Sequence, residues 1–398
     1  MSQDITSQDI ASQDIANRFA QTRALFPHTD RVIYFNSASY GPFSKTVHQA
    51  VLDNLNIRMA AETDDSHDAY AVADQLREDY AGLIHAPKQT VGIGLNTTFG
   101  LNIAAFGLPL KDGDEVLMSD VEFPAIPYVW RAAAEKRGLK LKFLKSRDRF
   151  FDIDDFEKQI TNRSRVLSLS WVQFFNGFKN DLPRLVEICK RHDMYFIVDG
   201  IQGMGTEDID VVKLGVDVFT SGCQKWMLSP QGCGFFYLSD KVRDTITAPF
   251  MSWLGVDWQM NFTDLFYFDK PYFESARKFE MGYYAVLNIL GMKAAVKIFQ
   301  DLGLENIRQH NWALIDRLAK YVDSQPYYRT TCSMDRVHRS SIFTFACDDV
   351  KGLHAELAKQ KIMLVQREGS IRVSVHLYNN EQDINRLMEV LDAFAKGK

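Results

Sequence analysis

The chain has 398 residues, 46% of them hydrophobic, with a formal net charge of -5 and a pI near 6.0. That length supports one large and one smaller domain around substantial cores, and the acidic balance without a long basic stripe argues against nucleic-acid binding. Five cysteines without CxxC spacing fit neither a disulfide framework nor a zinc site, no apolar run nears the ~20 residues of a membrane span, and no signal-peptide pattern opens the sequence, so a soluble cytoplasmic protein is expected.

The sequence begins with a short repeat: Ser2-Gln3-Asp4-Ile5, Ser7-Gln8-Asp9-Ile10 and Ser12-Gln13-Asp14-Ile15. A five-residue period matches neither the ~3.6-residue helix nor the two-residue strand. Residues 1–20 therefore read as a mobile tail or frayed helix, with a partner-binding arm as the alternative. Strands and helices then alternate. Val91 to Leu95 is an apolar run ending at Asn96-Thr97-Thr98-Phe99-Gly100, and Leu101 to Ala105 continues as a helix. Glu115 to Met118 reads as a strand and Tyr128 to Arg137 as a helix. Leu139 to Leu144, Val166 to Val172 and Tyr195 to Val198 are further strands, with helical text at Pro183 to Arg191. Such alternation implies an α/β fold with a parallel sheet covered on both faces and ligands at the carboxyl ends of its strands. After about Phe250 the text turns aromatic and acidic (Trp253, Trp258, Phe262, Phe266, Tyr267, Phe268), and a helical run from about Tyr284 to Phe299 leads into a second, α+β unit. The expected division is a tail over 1–20, a large domain over 21–255, and a linker with a small domain over 256–398. The segment before about Asp64 is expected to pack near the small domain.

The polar residues at the strand ends carry the chemistry. Lys225 lies in Ser221-Gly222-Cys223-Gln224-Lys225-Trp226, after the apolar Val216-Asp217-Val218-Phe219. A lysine between two strands is ordinarily a solvated surface group, but a partly desolvated one loses its proton more easily and can form a Schiff base with a carbonyl. Asp199 follows the apolar Tyr195 to Val198, where an isolated carboxylate is costly without a cationic or hydrogen-bonding partner, and Gln202 lies three residues on. Thr97, Thr98 and Phe99 occupy a strand-to-helix turn, where free amides and the helix dipole favour an anion by roughly 0.3–2 kcal/mol. Ser221 and Gln224 can add donors to the same anion. An amine, a buried carboxylate and an anion cradle together suit pyridoxal 5'-phosphate: the lysine carries the aldehyde, the carboxylate keeps the ring nitrogen protonated, and the helix end holds the phosphate.

From Tyr34-Phe35-Asn36-Ser37-Ala38 to Ile371-Arg372-Val373-Ser374 the chain resembles the fold-type I pyridoxal-phosphate enzymes of the class V aminotransferase family. That family includes cysteine desulfurases, alanine–glyoxylate aminotransferases, isopenicillin N epimerases and kynureninase-like enzymes. The resemblance implies a mainly parallel seven-stranded sheet in the large domain, a smaller C-terminal α+β domain, an amino-acid substrate and a homodimer with shared active sites. It implies Lys225 as the Schiff-base lysine, Asp199 as partner of the pyridine nitrogen and Gln202 beside the phenolic oxygen. Thr98 with its neighbouring amides, Ser221 and Gln224 match phosphate contacts. Phe123, in Glu122-Phe123-Pro124, matches the ring stacked on the cofactor, and Arg372 the arginine that holds the substrate's α-carboxylate. A planar guanidinium suits that task better than an ammonium. Tyr283, in Phe279-Glu280-Met281-Gly282-Tyr283, stands where the family has a threonine that reaches across to the partner's phosphate.

Two departures narrow the reaction. Related desulfurases carry a mobile cysteine on a loop before the carboxylate arginine, whereas Val365-Gln366-Arg367-Glu368-Gly369-Ser370 runs straight into Ile371-Arg372. Cys223 lies two residues before Lys225, and it reads as a buried packing residue, as do Cys189, Cys233, Cys332 and Cys347. Phe123 replaces a histidine and can stack but not move protons, which leaves Lys225 as the main acid–base group. One base on one face is enough for the 1,3-proton shift of transamination. The expectation is an aminotransferase. Desulfurase-like, β-eliminating C–S lyase and epimerase activities are alternatives within the family, and a non-catalytic binding or regulatory protein is the alternative outside it. Tyr40 and His67 are candidate residues at the entrance, and Trp253 and Trp258 either shape its mouth or pack at a domain junction.

Overall fold

Seven strands form the central sheet: β2 (Val91–Gly94), β3 (Glu115–Ser119), β4 (Lys140–Leu144), β5 (Ser164–Ser170), β6 (Tyr195–Asp199), β7 (Val218–Gly222) and β8 (Gly234–Leu238), with β1 reserved for Ile33–Tyr34 nearer the N-terminus. The structure, a computed structural model, describes residues 7–62, 65–259 and 261–397. The sheet order is β2-β8-β7-β6-β5-β3-β4, with β8 antiparallel to both neighbours and every other pairing parallel. All residues of β2, β7 and β8 are buried, and so are the last four of β6. Continuous apolar strands of this kind need cover on both faces. Helices Thr97–Gly107 and Ala125–Arg137 pack on one side, and Asp65–Leu83, Leu182–Arg191 and Val286–Leu302 contribute to the core on the other.

The smaller sheet has the order β12-β13-β10-β9, built from β9 (Arg329–Thr330), β10 (Ile342–Ala346), β12 (Val365–Arg367) and β13 (Ser370–Ser374). Helices Leu304–Ser324, Val350–Lys359 and Glu381–Lys396 cover one of its faces, where Phe343, Phe345, Ile371 and Val373 are buried in a core of their own. Alternation along the strands sends the opposite set, including Thr344 and Arg372, toward the large sheet. The segment near the N-terminus joins this unit: β1 pairs in parallel with β11 (Ile362–Met363), and Asn36 bridges to Ser374.

The second and third copies of the repeat lie in the helix Ser7–Arg23; the first copy, Ser2-Gln3-Asp4-Ile5, falls outside the described residues. The anchor of this helix is its second half. Phe19 is buried and stacks on His310 at 4.1 Å, and Arg23 pairs with Asp383 at 2.8 Å. Among the described residues no helix is long and apolar enough to cross a membrane, and no group of acidic, histidine or cysteine side chains is arranged to hold a metal.

Candidate active site

Three carboxyl ends lie side by side in the large sheet: Ser170 pairs with Asp199, and Asp199 with Thr220. Beyond β7 the chain turns back toward β8, and Lys225 sits on that turn. Its carbonyl accepts from the Leu228 amide at 3.2 Å, and Leu228 takes a left-handed backbone (φ 53°) with its side chain fully buried. A left-handed leucine costs about 1–2 kcal/mol, which burial of the side chain offsets. The Lys225 amine makes no hydrogen bond among the described residues and lies 5.3 Å from the centroid of the Phe123 ring. Burial pushes its pKa down to about 8; the Asp199 charge opposes this, while Arg372 and Arg367 add to it. This amine is readily deprotonated near neutral pH.

Asp199 is buried, with Oδ1 accepting from the Ile201 amide at 2.9 Å and Oδ2 without a hydrogen-bond partner among the described residues. Desolvation raises its pKa to about 6, opposed by the Ile201 amide and by Lys225. Gln202 is largely committed: Nε2 donates to the Ala38 carbonyl at 3.0 Å and Oε1 accepts from Trp226 Nε1 at 2.8 Å. One Nε2 hydrogen remains for a further acceptor. The sequence reading missed a second acid, Glu122. It accepts from Ser170 and Gln173, and burial with the nearby Asp199 charge raises its pKa to about 7. No local pattern marks it, because its partners come from a different strand end.

The anion cradle is narrower than expected. Asn96 caps the helix by accepting from the Phe99 amide at 3.0 Å, so that amide is occupied, and the Phe99 ring packs on Phe236 and Phe250. Thr97 is buried and ties the helix start to β7: its Oγ1 accepts from the Gly222 amide at 2.9 Å and its carbonyl accepts from Thr220 at 3.1 Å. The Thr97 and Thr98 amides and the Thr98 hydroxyl keep open donors. Ser221 is buried and donates to the Gly222 carbonyl at 3.0 Å. Gln224 ends in a buried carboxamide oxygen without a hydrogen-bond partner. Turning that amide over would present its NH2 instead, so the group is a free polar end beside Lys225.

Arg372 is buried at 1% exposure and has no carboxylate partner among the described residues. Its guanidinium donates to the Phe174 carbonyl, Asn36 Oδ1 and the Ser39 hydroxyl, and Nε is left without a partner. Desolvation pushes its pKa down to about 9, assisted by Arg367. A buried cation supported only by neutral acceptors is costly, and an anionic ligand would relieve that cost. The loop 36–41 connects the parts of the site. Asn36 and Ser39 hold Arg372, Ala38 holds Gln202, and Gly41 donates to the Gln224 carbonyl at 2.9 Å. A Cβ on Gly41 would lie 2.2 Å from the Lys225 carbonyl oxygen, so the close approach requires glycine. Tyr40 is 44% exposed on this loop, with its carbonyl accepting from Tyr34.

Other expected residues lie apart. Tyr283 is exposed and packs edge-on to Tyr70 at 6.1 Å, with no described contact to Lys225 or Asp199. Trp253 and Trp258 lie 5.2 Å apart in an aromatic cluster with Tyr70, Trp258 buried and Trp253 42% exposed. His67 falls in the helix Asp65–Leu83, but its side chain is outside the described residues. Cys223 is buried and directed at the Tyr80 hydroxyl, 3.0 Å away, and burial pushes its thiol up to about 12. It is no thiolate nucleophile. Glu368 and Gly369, both in the left-handed region, close a two-residue hairpin between β12 and β13, where no cysteine occurs.

The residues present fit a phosphorylated pyridine aldehyde: a desolvated amine, a buried carboxylate with one free oxygen, and open polar ends at Thr97, Thr98 and Gln224. A family model for class-V aminotransferases matches residues 33–387. An uncharacterized aminotransferase of Bacillus subtilis is 24% identical, over 94% of this chain and 97% of that one. A probable cysteine desulfurase of Pyrococcus abyssi is 25% identical, over 93% and 96%. Among solved structures, the apo cysteine desulfurase of Thermococcus onnurineus superposes with a TM-score of 0.85 at 23% identity, covering 95% of this chain and 98% of that one. The cystine C–S lyase C-DES, in complex with its reaction product cysteine persulfide, gives 0.83 at 22% identity, covering 92% and 98%. The shared fold is the fold-type I architecture expected from the sequence.

Proposed function

Because the chain belongs to the class-V aminotransferase family, we propose that it is a pyridoxal 5'-phosphate-dependent enzyme that transfers the amino group of an amino acid. The observation that carries this reading is Arg372, a buried cation without an acid partner, grouped with a Lys225 amine whose pKa is near 8. When bound, the cofactor supplies an electron sink that weakens the bond to the substrate's α-proton. Every other part of the chemistry falls to the chain. Lys225 would hold the cofactor's aldehyde carbon, Asp199 Oδ2 the ring nitrogen and the spare Gln202 hydrogen the phenolic oxygen. The Thr97 and Thr98 amides, the Thr98 hydroxyl and Gln224 would hold the phosphate, Ser221 having given its one hydroxyl hydrogen to the Gly222 carbonyl, and Phe123 would cover the ring. Arg372 binds the substrate's α-carboxylate, which fixes the α-carbon relative to Lys225. Once the incoming substrate amine has taken its place on the aldehyde carbon, the freed Lys225 amine would accept the α-proton at Nζ and return it two atoms away, as the 1,3-proton shift requires. An amine with a pKa near 8 is matched to both transfers at neutral pH.

A C–S lyase is the second reading, supported by the fold shared with C-DES. It uses the same proton abstraction and differs only in what leaves the β-carbon. A persulfide-forming desulfurase is disfavoured by the inert Cys223 and the two-residue hairpin before Arg372. We further infer a cytoplasmic homodimer, in which the exposed Tyr283 meets the partner's phosphate site, and a boundary near residue 255 between large and small domains.

The test is a spectral screen of amino acids against the yellow holoenzyme with product analysis, in native protein and Arg372→Gln. Transamination yields a keto acid and the aminated cofactor, and the variant loses about 100-fold in kcat/KM, roughly 3 kcal/mol. Pyruvate with sulfide would favour the lyase. A colourless protein in which borohydride fixes nothing on Lys225 overturns the reading.

A further inference from the structure

Gln202 is held between two groups of opposite hydrogen-bonding character. Trp226 Nε1 donates to its Oε1 at 2.8 Å, and its own Nε2 donates to the Ala38 carbonyl at 3.0 Å. An indole N–H can only donate and a backbone carbonyl can only accept, so a single orientation of the carboxamide satisfies both. Turned over, it would set NH2 against the indole N–H and Oε1 against the Ala38 oxygen, and both bonds would be lost in a buried place. The two partners come from the segments that frame the site, the loop 36–41 and the turn that bears Lys225.

Trp226 is itself firmly seated. It directly follows Lys225 and is buried, and its carbonyl accepts from His376 Nε2 at 2.7 Å. The Trp226 and His376 rings also meet edge-on, with centroids 5.3 Å apart. Burial pushes the His376 pKa down to about 3, so the imidazole is neutral, and its one proton must sit on Nε2 because the carbonyl can only accept. Gly205, at φ 100°, packs on the same carbonyl, where a Cβ would lie 2.9 Å from the oxygen. A side chain fixed at its backbone and along its ring has little freedom to let the Gln202 oxygen go.

We propose that Trp226 is a positioning residue: its indole N–H holds the Gln202 oxygen and thereby keeps the remaining Gln202 N–H turned to the cofactor's phenolic oxygen. This rests on the function proposed above and gives a role to a residue outside the set that touches cofactor or substrate. Without the indole, Oε1 becomes a buried acceptor with no donor, and the carboxamide turns to find one. An N–H on the phenolic oxygen draws electron density from it, so that oxygen holds less tightly a proton shared with the Lys225 nitrogen. Loss of the N–H therefore raises the pH at which the shared proton leaves.

The test is a pH titration of the bound cofactor's visible absorption in holoenzyme, with no substrate present. Gln202→Ala is expected to raise the midpoint by about one pH unit and Trp226→Phe by about half a unit. In the double variant Trp226→Phe should add nothing to Gln202→Ala, because its effect passes through the carboxamide. Asp199, Lys225 and Arg372 are the same in every variant, so the differences read the hydrogen bond. A second measurement leaves Trp226 in place: in holoenzyme carrying isotope-labelled tryptophan, one of the six indole N–H resonances should move upfield in Gln202→Ala. An unshifted midpoint in either single variant, a shift by Trp226→Phe that persists without Gln202, or six unmoved resonances overturns the proposal while leaving the aminotransferase reading intact. A protein that takes up no pyridoxal phosphate overturns both and is recognised before any titration by its lack of colour.

Discussion

Removing the Asp199 charge should make Lys225 still easier to deprotonate. An ordinary lysine at 10.5 is only about 0.1% neutral at pH 7.5, whereas one at about 8 is about a quarter neutral, a gain of more than 200-fold in free amine. The low value is the balance of burial, which disfavours the ammonium, against the nearby carboxylate, which favours it. Asp199 is itself ionised above about pH 6, so its attraction operates throughout the range in which Lys225 titrates. Asp199→Asn keeps the burial and the two arginines and deletes the opposing charge. At an effective dielectric between ~20 and ~80 such a pair is worth about 1–4 kcal/mol, so the Lys225 midpoint should fall by about one pH unit or more. The assay is reductive methylation of cofactor-free protein across the pH range, with the extent at Lys225 read by mass spectrometry of its peptide. Native protein should show a midpoint near 8 and the variant a midpoint near 7. A native midpoint near 10.5, or an upward shift in Asp199→Asn, would refute the balance described here.

Gly41→Ala places a Cβ 2.2 Å from the Lys225 carbonyl oxygen and 2.9 Å from the Leu228 side chain, so the loop and the lysine turn cannot both stay in place. A loss of about 1–3 kcal/mol in urea unfolding is expected, together with faster release of the cofactor; unchanged stability and retention would contradict the close approach. Glu122 titrates in the folded chain near 7 against an ordinary 4.5, so the fold binds the extra proton between those values. Native stability should therefore decline as pH rises from 4.5 through about 7, with the loss complete above 7. Glu122→Gln should remove that decline and exceed native stability by about 3 kcal/mol at pH 8, with urea midpoints at pH 5 and 8 as the comparison. Two parallel pH profiles would show that the carboxylate is not desolvated.

Lys225, Asp199 and Arg372 were each legible in the sequence because each interrupts or follows an apolar strand, and a charge at the end of a buried strand is costly enough to need a reason. The order of strands and helices was legible for a related reason: continuous apolar runs and helical spacing are local properties, repeated at each step of the chain. The two-residue link between Arg367 and Ser370 could likewise be counted directly from the residues. What those charges meet was not local. The loop 36–41 reaches Arg372 from more than 300 positions away, and its contacts are backbone carbonyls and small hydroxyls that leave no mark on composition or period. Glu122 became a site residue only because β3, β5 and β6 end together, bringing Ser170 and Asp199 against it. The helix turn could be read from the sequence as a candidate cradle, but which of its amides stay open depended on the Asn96 cap. Chain-local patterning thus determined the fold class and which residues needed partners. The packing of two sheets against each other decided who those partners are, because desolvation and pairing depend on neighbours that only the folded chain brings together.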